Sequence, residues 1–172
     1  MLIVVAGIKR SGSTAQFNMV RLVLEEYFGK EYVLTTGNPK EAINLHNQGN
    51  IVICKYHPFD KSLFQNADFI FTTSRNMVQV KESMLRFYGV NDMPKRGISV
   101  MRKHLRAWQE GSFNQTFEEI VNFPIACIQN ITGFIGIKED FGIEVFNNFK
   151  EIKPPESGYN KETFLFSNHI TK

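Results

Sequence analysis

The sequence predicts an α/β fold: an open parallel sheet of about four strands in three layers, with a helical C-terminal half. Three observations lead there. Short, wholly apolar, β-branched runs such as Leu2-Ile3-Val4-Val5-Ala6 recur in the first half and read as strands buried on both faces. Stretches with apolar residues at helical spacing alternate with them, the pattern of a parallel sheet covered by helices. Beyond Gly89 the strand signal fades and helical periodicity takes over.

Residues 2–6 form the first strand, and residues 7–14 a turn. Phe17, Val20, Val23, Leu24, Tyr27 and Phe28 then mark a helix that Gly29 stops. Residues 32–34 read as a short strand, 40–47 as a helix and 51–54 as another buried strand. Residues 55–60 loop around Pro58, and 69–73 form a fourth strand. Met77, Val80, Met84, Phe87 and Tyr88 make a helical stripe ending at Gly89. Segments 94–111, 113–121, 124–135 and 139–151 read as helices. The last twenty residues, with Pro154-Pro155, show no period. Residues 1–172 read as a single domain.

Composition narrows the function classes. Hydrophobic residues make up 42% and charged residues 22% of the 172, which excludes a chain that is mostly disordered. Twenty basic against 17 acidic residues is too even a balance to point to nucleic acid. Two cysteines, Cys54 and Cys127, exclude a disulfide scaffold and a cysteine-rich zinc site. No apolar run approaches the roughly 18 residues of a membrane span, so no stable membrane insertion is expected. The first apolar run is too short for a secretory leader. A cytoplasmic location is the expectation.

Gly7-Ile8-Lys9-Arg10-Ser11-Gly12-Ser13-Thr14 joins a buried strand to an amphipathic helix. It follows the phosphate-loop pattern G-x-x-x-x-G-K-[ST] except that Ser13 stands where Lys belongs. Backbone N–H groups and the helix N-terminus make such a loop an anion site without the lysine. Lys9 and Arg10 add positive charge. The missing lysine, which reaches the β- and γ-phosphates in nucleoside triphosphatases, weighs against ATP or GTP hydrolysis. The sheet is thus of the P-loop type.

Lys55-Tyr56-His57-Pro58 follows the strand at 51–54, on the same carboxyl rim as the phosphate loop. Histidine is the usual general base near neutral pH. A His between Lys and Pro, facing an anion loop, points to catalysis rather than to a structural role. Arg75 ends the next strand, and Ser83 follows two helical turns later. They either meet at one anion, which the planar guanidinium fork suits, or are an ordinary surface Arg and a solvent-facing Ser.

Together these pieces resemble the sulfotransferases that use 3′-phosphoadenosine 5′-phosphosulfate (PAPS), over residues 2–137. Arg10-Ser11-Gly12-Ser13-Thr14 resembles the 5′-phosphosulfate loop, P-R-S-G-T-T in bacterial members, where Ser or Thr replaces the Walker lysine. Arg10 falls where cytosolic animal members carry a catalytic lysine. Lys55-Tyr56-His57-Pro58 resembles their K-T-H-L-P, with the proline one residue early. Arg75 and Ser83 match the family's 3′-phosphate pair at its eight-residue separation. Glu118-Glu119-Ile120-Val121 and Ile131-Thr132-Gly133-Phe134-Ile135-Gly136 resemble the late Y-E-D-L-V … F-L-G segment, with Phe117 for Tyr and Ile135 for Leu. The chain is shorter than most members. Its C-terminal R-K-G loop is not evident: Lys95-Arg96-Gly97 lies too early, and Asn168-His169-Ile170-Thr171-Lys172 stands near that position.

The resemblance implies an enzyme that moves a sulfuryl group from PAPS, leaving 3′-phosphoadenosine 5′-phosphate (PAP), to a hydroxyl or amine acceptor without a metal. His57 would take the acceptor's proton, Lys55 would contact the sulfonyl oxygens, and Arg10 would stabilise charge at the bridging oxygen. Lys9, Arg10, Ser11, Gly12, Ser13 and Thr14 would hold the 5′-phosphosulfate. Arg75 and Ser83 would hold the 3′-phosphate. The acceptor would be a small molecule or a glycan. Trp108, with Arg102, Lys103, His104 and Arg106, either lines its cleft or belongs to a solvated helix face over one buried Trp. Two readings compete: a small P-loop metabolite kinase, and a non-catalytic nucleotide-binding module.

Overall fold

The computed structural model of the protein describes residues 1–88 and 95–167. Gly89, the start of the helix expected at 94, and the tail 168–172 lie outside the described residues. Strand β1 (Leu2–Gly7) is buried along its whole length. Leu2, Val4 and Ala6 enter one core with Ala42, Leu63 and Trp108. Ile3 and Val5 enter another with Phe17, Leu24, Ile128 and Val145. That alternation is what a strand sandwiched between two helical layers requires.

In chain order the other elements are α1 (Ser13–Phe28), β2 (Val33–Thr36), α2 (Pro39–Asn47), β3 (Ile51–Lys55), α3 (Lys61–Asn66), β4 (Phe69–Ser74), α4 (Met77–Tyr88), α5 (Lys95–Gln109), β5 (Phe113–Thr116), α6 (Phe117–Asn122), α7 (Pro124–Ile135) and α8 (Gly142–Glu151). The short strands β6 (Tyr159–Asn160) and β7 (Leu165–Phe166) close the described chain.

The main sheet runs β2-β3-β1-β4-β5, with every neighbouring pair parallel. The crossover from β1 to β2 goes one way along the sheet, and the later ones return the other way. Right-handed crossovers then place α1 opposite α2, α3 and α5, as the two cores record. The reversal falls at β1, and in such sheets ligands gather outside the carboxyl ends of the strands at that point. Gly7, Lys55, Ser74 and Thr116 therefore end on one rim.

The α/β class, the parallel sheet and the helical second half hold. The strand count rises from about four to five, because residues 113–121, expected to be one helix, divide into β5 and α6. Phe113-Asn114-Gln115-Thr116 carries a single large apolar residue, so it gives no strand signal. It pairs with β4 at the sheet edge, Phe71 opposite Phe113. Thr116 then starts α6 with a capping box: its Oγ1 accepts from Glu119 N at 3.2 Å, and its N–H donates to Glu119 Oε2 at 2.6 Å. Helix α3 was not expected; Asp60 caps it, Oδ1 accepting from Leu63 N at 2.8 Å. The helix expected over 139–151 starts at Gly142. Among the described residues, no helix is long and apolar enough to cross a membrane.

Candidate active site

The loop from β1 to α1 is shaped by two glycines. Gly7 has φ 147°, and a Cβ there would run into Thr73 Oγ1 on β4. Gly12, at φ 94°, is the N-cap of α1, and a Cβ there would come within 3.0 Å of Phe117 Cδ2. No side chain caps α1, so its first-turn N–H groups have no side-chain cap as acceptor. Between the glycines, Arg10 takes φ 70°, a left-handed conformation uncommon for a residue with a side chain. Lys9 is exposed, Thr14 is half-buried, and Ser13 is buried in the first turn.

Ser11 turns inward. Its hydroxyl donates to Ile8 O at 2.6 Å and lies 2.7 Å from Thr73 Oγ1, and its N–H also bonds Ile8 O, at 3.1 Å. Its groups pin the loop to itself and to β4. Below the loop, Gln16 Nε2 donates to Thr72 O at 3.2 Å and to Gln115 Oε1 at 3.1 Å. Gln115 in turn donates to Cys127 O at 3.0 Å. This fully covered amide chain ties the first turn of α1 to β4, β5 and α7. The sequence offers no signal for it, since a Gln within a helix reads as a surface residue.

Lys55 and His57 lie beside the loop. His57 Nδ1 sits 2.8 Å from Gly7 O. A carbonyl only accepts, so Nδ1 carries the proton and Nε2 presents its lone pair. That Nε2 is 3.4 Å from Lys55 Nζ, which donates to it. Burial and the neighbouring Lys55 push the His57 pKa down to about 3, against a smaller upward pull from the Gly7 carbonyl. Burial, with Lys9 adding to it, lowers Lys55 to about 8. Both side chains keep some accessible surface, so an anion can reach them, and its charge would raise both values.

Sequence spacing offered Arg75 and Ser83 as two contacts to one anion. The structure brings each of them to Arg10. Arg10 Nε donates to Ser83 Oγ at 3.1 Å, and Arg75 donates to Arg10 O at 3.2 Å and to Gln79 Oε1 at 3.2 Å. Arg75 stacks on Phe117, 3.6 Å from the ring centroid, and Arg10 lies 4.3 Å over Phe87. The stacking of these two rings on the arginines, and the network of Gln16, gave no signal in the sequence. Nor did Phe164, at φ 54°, which packs edge-on to Phe17 and lies 5.5 Å under Lys55 Nζ.

Trp108 is fully buried, its indole N–H shared between His57 O at 3.3 Å and Pro58 O at 3.2 Å. Four residues earlier, His104 Nδ1 accepts from Phe59 N at 2.9 Å. Trp108 and His104 therefore brace the His57 loop from beneath, while Arg102, Lys103 and Arg106 are exposed. Among the described residues, no three His, Cys, Asp or Glu side chains are grouped to hold a metal ion. The arrangement offers a helix N-terminus with no side-chain cap, cations at positions 9, 10, 55 and 75, and one imidazole whose Nε2 lone pair Lys55 holds. It can bind a multiply charged anion and take a proton beside it.

No family model matches the chain, and no curated protein matches it by sequence. Solved structures match its fold. The mouse sulfotransferase SULT7A1 complexed with PAP is 15% identical, with a TM-score of 0.62 over 90% of this chain and 68% of that one. Retinol dehydratase, in complex with androsterone and the inactive cofactor PAP, is 14% identical with a TM-score of 0.56, over 88% of this chain and 64% of that one. A sugar kinase from Janibacter sp. HTCC2649 is 12% identical with a TM-score of 0.50, over 80% of this chain and 95% of that one. The chain spans about two thirds of the length of these two PAP-bound proteins. At such identities the likeness establishes the fold: the P-loop-type sheet of PAP-bound sulfotransferases, as the sequence motifs implied.

Proposed function

We propose that this protein is a sulfotransferase that uses PAPS, releases PAP, and sulfates a hydroxyl or amine of a small molecule or glycan in the cytoplasm. The observation that carries the reading is the Lys55–His57 pair, held against the phosphate loop by the His57–Gly7 bond. The donor set fits an anion of this kind. Gly7 and Gly12 let the loop backbone pack directly against Thr73 and Phe117, no side chain caps the helix N-terminus, and among the described residues Lys55 has His57 and Phe164 beside it rather than a carboxylate.

Lys9, the loop N–H groups, Ser13 and Thr14 would hold the 5′ end, and Arg75 and Ser83 the 3′-phosphate. When bound, PAPS supplies the sulfuryl group. His57 Nε2 takes the proton from the attacking hydroxyl. Lys55 leaves Nε2 for the developing negative charge, and Arg10, which holds its proton at any working pH, stabilises charge without acting as an acid. Removing the Lys55 contact raises the basicity of His57, so the shift in Lys55 arms the base.

The likeness to a sugar kinase, 95% of whose chain is covered, favours a second reading, phosphoryl transfer from ATP; Ser13 in the lysine position weighs against it. One experiment separates the two. Thermal unfolding is followed with PAP, with 5′-AMP, and with ATP plus magnesium. A ligand at 100 times its dissociation constant adds about 2.7 kcal/mol, roughly 5–10 °C for a domain of this size. A shift with PAP alone supports sulfuryl transfer. A larger shift with ATP and magnesium moves the assignment to a kinase, and no shift with any of them sinks both.

A further inference from the structure

A groove of about 630 Å³ runs between α4 and α5. Its lining starts in the sequence at Met77, two residues beyond Arg75. Lys81 on one wall and Arg102, Lys103 and Arg106 on the other line it, over a floor that includes Met77 and Ile98. All four cations are exposed, and none makes an ion pair with a described residue. Among the described residues, no Asp, Glu or aromatic side chain lines the groove.

The positive charge is segregated here. Residues 95–109 contain five Lys or Arg and no Asp or Glu, while the rest of the chain has 15 basic against 17 acidic residues and is net negative. Arg102 and Arg106 stand four apart on one helix, an arrangement that costs stability through like-charge repulsion. An ordinary solvated helix face avoids that cost by mixing signs. The charge therefore complements a ligand carrying several negative groups.

We propose that this groove seats a multiply anionic acceptor, an acidic oligosaccharide. As the acceptor's seat, the groove rests on the sulfuryl-transfer reading above. Such a ligand brings carboxylates for the four cations, C–H faces for the apolar floor, and hydroxyls to be sulfated. Single-stranded nucleic acid is disfavoured because its sites interleave aromatic platforms with the cations, and the described residues lining this groove include none.

Calorimetric titration of the full chain with hexagalacturonate, neutral maltohexaose, hexaglutamate and hexathymidylate tests the proposal. Hexagalacturonate is expected to bind best, more weakly as salt rises. The Arg102→Ala/Lys103→Ala/Arg106→Ala variant is expected to bind it about tenfold more weakly, with the PAP-induced thermal shift unchanged. Lys81→Glu, on the opposite wall, is expected to weaken it as well. Equal binding of maltohexaose, or no loss in either variant, overturns the proposal. Tighter binding of hexaglutamate or hexathymidylate overturns the choice of a saccharide. Hexagalacturonate binding that the variants weaken, in a protein that PAP does not stabilise, upholds the groove and removes the nucleotide reading.

Discussion

Arg10 Nε donates to Ser83 Oγ across 3.1 Å, a bond that joins the phosphate loop to α4 over 73 positions of sequence. Ser83 is 6% exposed, and Arg10 is held in a left-handed backbone conformation. The pair fixes where a guanidinium stands relative to a hydroxyl, and both are assigned by the proposed reading to one nucleotide. Ser83→Ala removes the hydroxyl and leaves the helix intact. The expected result is PAP binding weakened about three- to tenfold, 5′-AMP binding unchanged, and stability within about 1 kcal/mol of the parent. Titration calorimetry with the two nucleotides checks it. Equal losses for both would detach Ser83 from the 3′-phosphate.

Arg75 bridges the same junction from the other side, through Arg10 O, and is pinned flat on Phe117. Stacking orients the fork before any ligand arrives, which lowers the ordering cost of binding. Arg75→Ala is expected to weaken PAP binding roughly 10- to 100-fold, the worth of a hydrogen bond to a charged group. Arg75→Lys keeps the charge but loses the fork and the stack, so its loss falls between. A lysine variant indistinguishable from the parent in titration would show that charge alone matters there.

What was legible in the sequence was local. Leu2 to Ala6 read as a strand because both faces are buried and every side chain is apolar. Gly7 and Gly12 marked the loop because only a backbone without Cβ fits there. Placing Lys55, His57 and Arg75 on one rim needed only the parallel order of the strands. What failed to show was set by tertiary contact. Phe113-Asn114-Gln115-Thr116 is a strand because β4 offers an edge, not because of its own pattern. Ser83 accepts from Arg10, a loop residue at positive φ, a pairing across 73 positions that no spacing rule foresees. Phe164 reaches Lys55 from more than a hundred residues away.

Gly7 and Gly12 differ in what a side chain would meet. At Gly7 a Cβ strikes Thr73 Oγ1 and crowds Ser11 Oγ at 3.1 Å, so the bond between those hydroxyls breaks with it. At Gly12 the near atom is Cδ2 at the edge of the Phe117 ring, 3.0 Å away, a wider approach than at Gly7. Gly7→Ala is expected to cost about 2–3 kcal/mol and Gly12→Ala about 1–2 kcal/mol. Urea midpoints at constant m-value read both. The Gly12 variant costing more than the Gly7 variant would contradict this ranking.

His57 makes two linked predictions. As the base it is dispensable for nucleotide binding but not for transfer, so His57→Asn is expected to lose roughly 10²–10⁴-fold in turnover and to keep its PAP-induced shift. The same residue sets a pH dependence in the free protein. Its folded pKa is about 3, against 6.5 for an ordinary histidine. Between those values the unfolded chain binds a proton that the folded chain does not. The stability it contributes is therefore fully present above about pH 6.5 and is lost as pH falls toward 3. From pH 6.5 to 5, above most carboxylate titration, the loss is expected to be about 1–2 kcal/mol. His57→Asn removes the titrating ring and flattens the slope. A bound polyanion neutralises Lys55 and Lys9, raises the His57 pKa, and narrows the same window, so PAP should flatten the parent's slope too. Unfolding free energies at half-unit pH steps, with and without PAP, check all three curves. A parent slope that survives in the Asn variant would place the responsible group elsewhere.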